Sequence, residues 1–282
     1  MSGAYRYVLL DVFTDTALEG NQLAVFPEAP DSSTQDMQRL ARELNLSETV
    51  FVFASERGGD VRVRIFTPAA ELPFAGHPVL GAAIAVGIER GRHEVTLETG
   101  AGLVAVTLRD VTERGAYGTM RQPIPSWQPF ERSAELLGAL GVERSGLPVE
   151  VYVNGPRHVY VELDGESAVA ALAPDLRALA ELGELGVSCF AGAGVRWKTR
   201  MFAPALGVPE DPATGSAAGP LAVHLARHGR IAFGEEIEIR QGTEVGRPSL
   251  LRARALGSTD AIECVEVGGS AVIVARGEFL LG

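Results

Sequence analysis

The strongest constraint on this chain is a pattern that it contains twice. Arg64-Ile-Phe-Thr-Pro-Ala is followed by Leu72-Pro73, then Gly76-His77, then a small-residue helical stretch with Ala85-Val86. Arg200-Met-Phe-Ala-Pro-Ala is followed by Val208-Pro209, then Gly215-Ser216, then a second such stretch with Ala222-Val223. Gly20-Asn21 has a looser counterpart in Asn154-Gly155. Self-similarity in a fixed order is the mark of an internal duplication. It predicts two similar halves, at 1–118 and 119–282, with the last strand able to return to the first half. A hinge is expected over 115–130, where Pro and polar residues concentrate. A chain of 282 residues has the length for two domains of ordinary size.

Local patterning fills in the halves. Val-, Ile- and Phe-rich segments at 7–13, 23–26, 49–54 and 61–67 predict strands, followed by strands at 94–98 and 103–108. Met37, Leu40, Ala41 and Leu44 have helical spacing over 33–44, with Ser32 or Ser33 as the cap. A second helix is expected from His77 to Arg90, ending at Gly91. The later half predicts helices at 134–140, 174–182 and 216–228. Its strands are expected at 149–153, 158–163, 187–191, 195–202, 236–241, 249–256 and 263–274.

Each half therefore ends a strand, turns through a loop, and starts a helix at His77 or Ser216. Helix starts present unpaired N–H groups and a partial positive charge, which suits a carboxylate. Facing one cleft, two such starts would hold a small anion. Neither GxGxxG nor GxxxxGK[ST] occurs where a first strand meets a helix, so a nucleotide is disfavoured and cofactor-free chemistry is expected. A net charge of −11 argues against a nucleic-acid partner. The longest apolar-rich run, Val79 to Ile88, is about half of a membrane span, and no signal-peptide pattern opens the chain, so a cytoplasmic location is expected. Cys189 and Cys264 lack CxxC spacing and read as buried structural cysteines.

Several residues could carry chemistry. Glu48 lies in Leu44-Asn-Leu-Ser-Glu-Thr-Val-Phe-Val-Phe53, where a helix meets an apolar strand. Partial burial there would suit a carboxyl that both accepts and returns a proton; the alternative is a residue that merely opens the strand at an exposed edge. His77, after Gly76, is either a helix-start packing residue or a functional one. Asp211 could be an Asx-turn residue, and Thr214 and Ser216 could be caps. The string Asp211-Pro-Ala-Thr-Gly-Ser216 is more specific than any of its members. His158, His224, His228 and His93 are weaker candidates. His224 and His228 share a helix face, but no HExxH or acidic residue at matching spacing accompanies them, so a polar helix face is the expectation and no metal is predicted. Gly-x-Ser-x-Gly is absent, which leaves a nucleophile elbow unsupported.

Four strings bring a family into view. They are Gly20-Asn-Gln-Leu-Ala-Val-Phe26, Asn45-Leu-Ser-Glu-Thr49, Thr67-Pro-Ala-Ala-Glu-Leu-Pro-Phe-Ala-Gly-His-Pro78 and Glu210-Asp-Pro-Ala-Thr-Gly-Ser-Ala217. In this order they resemble the successive signatures of the PhzF family. The resemblance implies the diaminopimelate-epimerase-like fold: α+β or α/β, two similar halves, each a curved sheet around a central helix, with the active site in the cleft between them. Gln122-Pro-Ile-Pro-Ser-Trp127, Asn154-Gly-Pro-Arg-His-Val159 and Gly219-Pro-Leu-Ala-Val-His-Leu-Ala-Arg-His228 look like the phenazine-biosynthesis members in particular.

That likeness implies an isomerase acting on trans-2,3-dihydro-3-hydroxyanthranilate, a homodimer, and other phenazine-pathway enzymes as partners. The alternative is an isomerase or epimerase of the same fold acting on another small carboxylate. By motif, Glu48 matches the family's acid–base glutamate. His77 and Asp211 match groups that fix the substrate, and Ser47, Gly76, Gly215 and Ser216 match ligand-contacting positions. Gln22 departs from the family's usual Pro after Gly-Asn and touches only a turn. The epimerase relatives carry a cysteine in each loop; here Gly76-His77 and Gly215-Ser216 stand there, which excludes a two-thiol mechanism.

Overall fold

Two helices made mostly of small and apolar residues are buried along nearly their whole length, one in each of two units. The computed structural model describes residues 4–29 and 33–281. They form two compact units, one of 4–121 with 268–281 and one of 122–267.

The first unit runs β1 (Ala4–Val12), β2 (Asn21–Phe26), α1 (Thr34–Leu44), β3 (Glu48–Ala54), β4 (Val61–Phe66), β5 (Glu71–Leu72), α2 (Gly76–Arg90), β6 (Glu94–Thr99), β7 (Gly102–Arg109) and β8 (Gly115–Gln122). β1 pairs antiparallel with β2, β2 parallel with β3, and β3 antiparallel with β4. β4 takes β5 antiparallel and β6 parallel, and β6, β7 and β8 continue antiparallel. Every residue of α2 from Gly76 to Gly87 is buried. Its small residues let the sheet approach: a Cβ on Gly81 would stand 2.5 Å from Leu23 Cδ2 and 2.8 Å from Val12 Cγ2. The other face of β2, β3 and β4 carries Phe26, Phe51 and Phe66, which pack against Met37, Leu40 and Ala41 of α1. Both faces of these strands are thus covered, which is why β2 and β3 are almost continuously apolar.

The second unit runs β9 (Ser126–Pro129), α3 (Ser133–Leu140), β10 (Glu150–Val153), β11 (Arg157–Glu162), α4 (Glu166–Ala170), α5 (Leu176–Ala180), β12 (Gly186–Ala193), β13 (Arg196–Ala203), β14 (Val208–Asp211), α6 (Gly215–Arg227), β15 (Ile237–Gln241), β16 (Ser249–Gly257) and the start of β17 (Ile262–Leu280). The pairing order repeats that of the first unit. β10 is antiparallel to β11, β11 parallel to β12, and β12 antiparallel to β13. β13 takes β14 antiparallel and β15 parallel, and β15 is antiparallel to β16. α6 is buried from Gly215 to Ala226, as α2 is in its own unit. Leu136, Leu140, Val169 and Leu179 of α3, α4 and α5 cover Val159, Val161, Val187 and Cys189 on the outer face.

Each unit closes its first strand with a further strand, from just upstream in the second unit and from the far end of the described chain in the first. β10 takes β9 on its free side, and β1 takes Ala271–Leu280 of β17. The 115–130 segment expected as a hinge is accordingly built mostly of strands, β8 and β9. Two of its prolines, at 123 and 125, sit between these strands, and Pro129 is the last residue of β9. Ser33 caps α1 by accepting from the Asp36 N–H; Ser32, the other candidate, lies outside the described residues. Cys189 is buried and its thiol is pushed up to about 12 by burial, whereas Cys264 is only half-buried, contrary to expectation. Among the described residues no helix is long and apolar enough to cross a membrane.

Candidate active site

α2 and α6 begin the same way. The N-cap positions are Ala75 and Thr214, and neither makes a side-chain capping hydrogen bond. In α6 the Ala217 N–H already meets the Thr214 carbonyl at 3.0 Å, and in α2 the third position is Pro78; no side-chain cap takes the N–H groups of the first two residues, 76–77 and 215–216. Pro78 is tolerated in the first turn of α2, where its missing N–H has no intrahelical role.

Glu48 is the first residue of β3, paired in register with Leu23 of β2. That register carries its side chain to the start of α2. Glu48 Oε2 lies 3.3 Å from His77 Nε2, with the two side chains 16% and 4% exposed. Burial lowers the His77 pKa to about 3, outweighing a hydrogen bond with the Gln22 backbone, so the imidazole is neutral. A neutral imidazole and a carboxyl group at this distance need only one proton between them. As placed, the two atoms are close but not aligned as a hydrogen bond. A small rotation of either side chain would let one proton be shared between them, from Nε2–H to the carboxylate or from the carboxylic acid to Nε2. Asn21 Nδ2 lies 3.3 Å from His77 Nδ1 on the far side of the ring.

Asn21 is delivered there by Gly20. This glycine has φ of +66°, and a Cβ on it would stand 2.5 Å from the Val12 carbonyl oxygen and 2.6 Å from Thr14 Cγ2. Gly20→Ala is expected to cost ~1–2 kcal/mol for the positive φ alone, with the clash added. Denaturant unfolding checks this, and an unchanged midpoint would contradict it. Ser47 sits half-buried in the bend before β3, and Gly76 is the buried first residue of α2.

In the second unit Asp211 ends β14 and is buried. Its Oδ2 accepts from Thr214 Oγ1 at 2.5 Å. Gln241 ties the loop down: its Nε2 donates to the Asp211 carbonyl at 2.8 Å and to Thr214 Oγ1 at 3.0 Å. α6 carries Pro220 inside it. A proline there cannot donate to the carbonyl four residues earlier, that of Ser216. Asn154 Nδ2 fills that role at 3.0 Å. Gln122 Nε2 donates to the Gly215 carbonyl at 2.8 Å and Tyr160 Oη to the Ala217 carbonyl at 2.7 Å. The first turn of α6 is therefore held by side chains from β8, β11 and the β10–β11 turn. Ser216 Oγ contacts His158 Nε2 at 3.0 Å.

The far end of α6 holds a second polar cluster, away from Ser216 along the same helix. Glu150 Oε2 accepts from Tyr152 Oη at 3.0 Å and from Arg227 Nη1 at 2.7 Å, and it faces His224 Nδ1 at 3.2 Å and His228 Nε2 at 3.1 Å. His224 is completely buried, so the polar helix face expected from its spacing is not what this helix presents. The acidic partner missing from the helix comes instead from β10. Glu150, His224 and His228 bring their ligating atoms within 4.8 Å of one another. The guanidinium on the same oxygen already supplies the positive charge that a cation would bring.

Sequence reasoning singled out Glu48, His77, Asp211, Ser47, Gly76, Gly215 and Ser216. The structure brings Glu48 and His77 within 3.3 Å, with Ser47 and Gly76 beside them in the chain, and puts Asp211, Gly215 and Ser216 at one loop and helix start. The roles of Asn21, Gln122, Asn154 and Gln241 and the pairing of His158 were not seen in the sequence. Pro220 was the available signal for Asn154, because a proline inside a helix orphans a carbonyl that something must satisfy.

These two units, each a sheet around a buried helix, have the fold of the proline racemase and diaminopimelate epimerase class. A probable proline racemase from Agrobacterium radiobacter matches over 98% of this chain and 93% of its own, with a TM-score of 0.62 at 15% identity. A phenazine biosynthesis protein of the PhzF family from Bacillus anthracis matches over 99% of this chain and all of its own, with a TM-score of 0.85 at 24% identity. The chain belongs to the PhzC-PhzF family of phenazine biosynthesis-like proteins, whose pattern spans residues 10–277. The trans-2,3-dihydro-3-hydroxyanthranilate isomerase of Pseudomonas chlororaphis is 53% identical over 277 residues, covering 98% of this chain and all of that one.

Proposed function

We propose that the protein is the isomerase of phenazine biosynthesis that acts on trans-2,3-dihydro-3-hydroxyanthranilate, with Glu48 as its proton carrier. The observation that carries the site assignment is the Glu48–His77 contact, a carboxyl group and a neutral imidazole 3.3 Å apart at an uncapped helix start. The full-length identity of 53% to an enzyme of that name supports the substrate.

Glu48 as carboxylate removes a ring proton, and as carboxylic acid returns it at another ring carbon. The double bonds shift between, giving an enol that relaxes to 6-amino-5-oxocyclohex-2-ene-1-carboxylate. His77, 3.3 Å away, stands ready to receive or supply a hydrogen bond once the Glu48 carboxyl turns toward it in either state. Asp211 engages the substrate's polar groups, and Ser47, Gly76, Gly215 and Ser216 contact the ligand, with first-turn N–H groups binding its carboxylate. The enzyme works as a cytoplasmic homodimer and passes its product to later phenazine-pathway enzymes. Light scattering of the purified protein tests the dimer, and cell fractionation the location.

The decisive experiment incubates the purified protein with trans-2,3-dihydro-3-hydroxyanthranilate in D₂O and follows the mixture by NMR. Consumption of the substrate to the ketone is expected. An untouched substrate would overturn the assignment.

A further inference from the structure

Ser216 and His158 look at first like a nucleophile and its base. Ser216 Oγ lies 3.0 Å from His158 Nε2, and the two residues are 6% and 3% exposed. A serine beside a histidine in an enzyme interior invites that reading. The other side of the imidazole argues against it.

His158 sits in β11 with Gly186 of β12 as its register partner. Its Nδ1 is buried and has no hydrogen-bond partner among the described residues. The wall beside it is close: a Cβ on Gly186 would stand 2.7 Å from Nδ1 and 3.1 Å from Met201 Sδ. Burial lowers the His158 pKa to about 4, so near neutral pH the ring carries a single N–H. On Nδ1, that hydrogen would be a buried donor with nothing to meet. On Nε2, it meets Ser216 Oγ. A buried N–H left unpaired is rarer and costlier than an under-used acceptor. The proton belongs on Nε2.

We infer that His158 is a positioning residue: it donates from Nε2 to Ser216 Oγ and thereby turns the serine O–H outward, as a fixed donor to an anionic oxygen of the ligand. A hydroxyl whose lone pair is already taken by an N–H cannot be deprotonated by that same nitrogen. Ser216 is therefore a donor to a carboxylate or enolate oxygen and not a nucleophile. The remaining contacts of this turn serve the same end, since Gln122, Asn154 and Tyr160 hold the carbonyls of residues 215–217 in place. The identity of the oxygen that Ser216 meets rests on the isomerase reading above; the direction of the His158–Ser216 hydrogen bond does not.

Two measurements test this. In the ligand-free protein labelled with ¹⁵N-histidine, the His158 signals, assigned by their loss in His158→Gln, should show a protonated Nε2 and a bare Nδ1. A proton on Nδ1 would overturn the proposal, and this readout needs no substrate. For turnover, His158→Gln keeps an N–H donor near the Nε2 position and should hold KM within about 3-fold. His158→Leu removes that donor and should raise KM by roughly 10-fold or more, with a smaller change in kcat. Equal losses in the two variants would sink the positioning role. A wild-type protein that turns over nothing would instead count against the isomerase assignment and leave the NMR result standing.

Discussion

Glu48→Gln is expected to lower kcat by ~10²–10⁴-fold, the usual contribution of one positioned acid–base group. The substitution keeps the shape of the side chain and its reach to His77 Nε2, which now lies 3.3 Å from Glu48 Oε2. An amide can hydrogen-bond that nitrogen but has no proton to give and no charge with which to take one. Binding of the product or an unreactive analogue should therefore survive, and calorimetry on the variant would show it. The split matters more than the loss: weakened binding with intact kcat would mean that Glu48 holds the ligand and another group moves the proton. Wild-type kcat with wild-type binding would remove Glu48 from the chemistry altogether.

Glu150→Ala is expected to produce the largest loss of stability, on the order of 3 kcal/mol at pH 7. The carboxylate is 7% exposed and lies against buried Tyr152 and His224 and half-buried Arg227 and His228, so its removal takes away the acceptor these groups share. Burial by itself would raise the Glu150 pKa, but the hydrogen bonds from those four residues outweigh it and hold the carboxyl well below the usual range. A depressed folded-state pKa fixes the sign of the pH dependence. The stabilisation is fully present above the unfolded carboxyl value, near 4.5, and is lost as the pH falls below it toward the folded value. Urea melts of wild type and variant should thus differ most near neutrality and converge in acid. A gap that stays constant with pH would contradict the ionised cluster.

How much of this could be seen in the amino acids depended on whether a feature was local. α1 showed itself through the spacing of Met37, Leu40, Ala41 and Leu44 and through Ser33 at its start; Asn45, left-handed at its end, was not read as a stop. α2 was bounded by Gly76-His77-Pro78 and Gly91, and both signals are short-range steric ones. β8 was missed because Gly115 and Gly118 make it look like a loop. In the fold those glycines mark close approach instead: a Cβ on Gly118 would stand 2.6 Å from Leu80 Cδ1 of the central helix. β14 is four residues long and contains Pro209, too little for periodicity to register. Among site residues, Glu48 and His77 were named separately, but their contact depends on the register of β3 against β2 and on where α2 begins. The burial of His224 could not be read from a spacing of four, because its partner Glu150 lies on a strand far away in the chain.

The way β1 is closed has a consequence for how the protein is made. Its partner, Ala271–Leu280, leaves the ribosome only after the whole of the second unit has been synthesised. At ~5–20 residues per second, the first unit waits on the order of ten seconds with the nine-residue edge of β1 open. The part of the protein that is translated first is the part that is finished last. Through that interval the nascent chain carries an unpaired β-edge, the kind of surface that recruits strands from neighbouring chains. Crowded polysomes, more than the mature enzyme, are where this architecture is most exposed to misassembly.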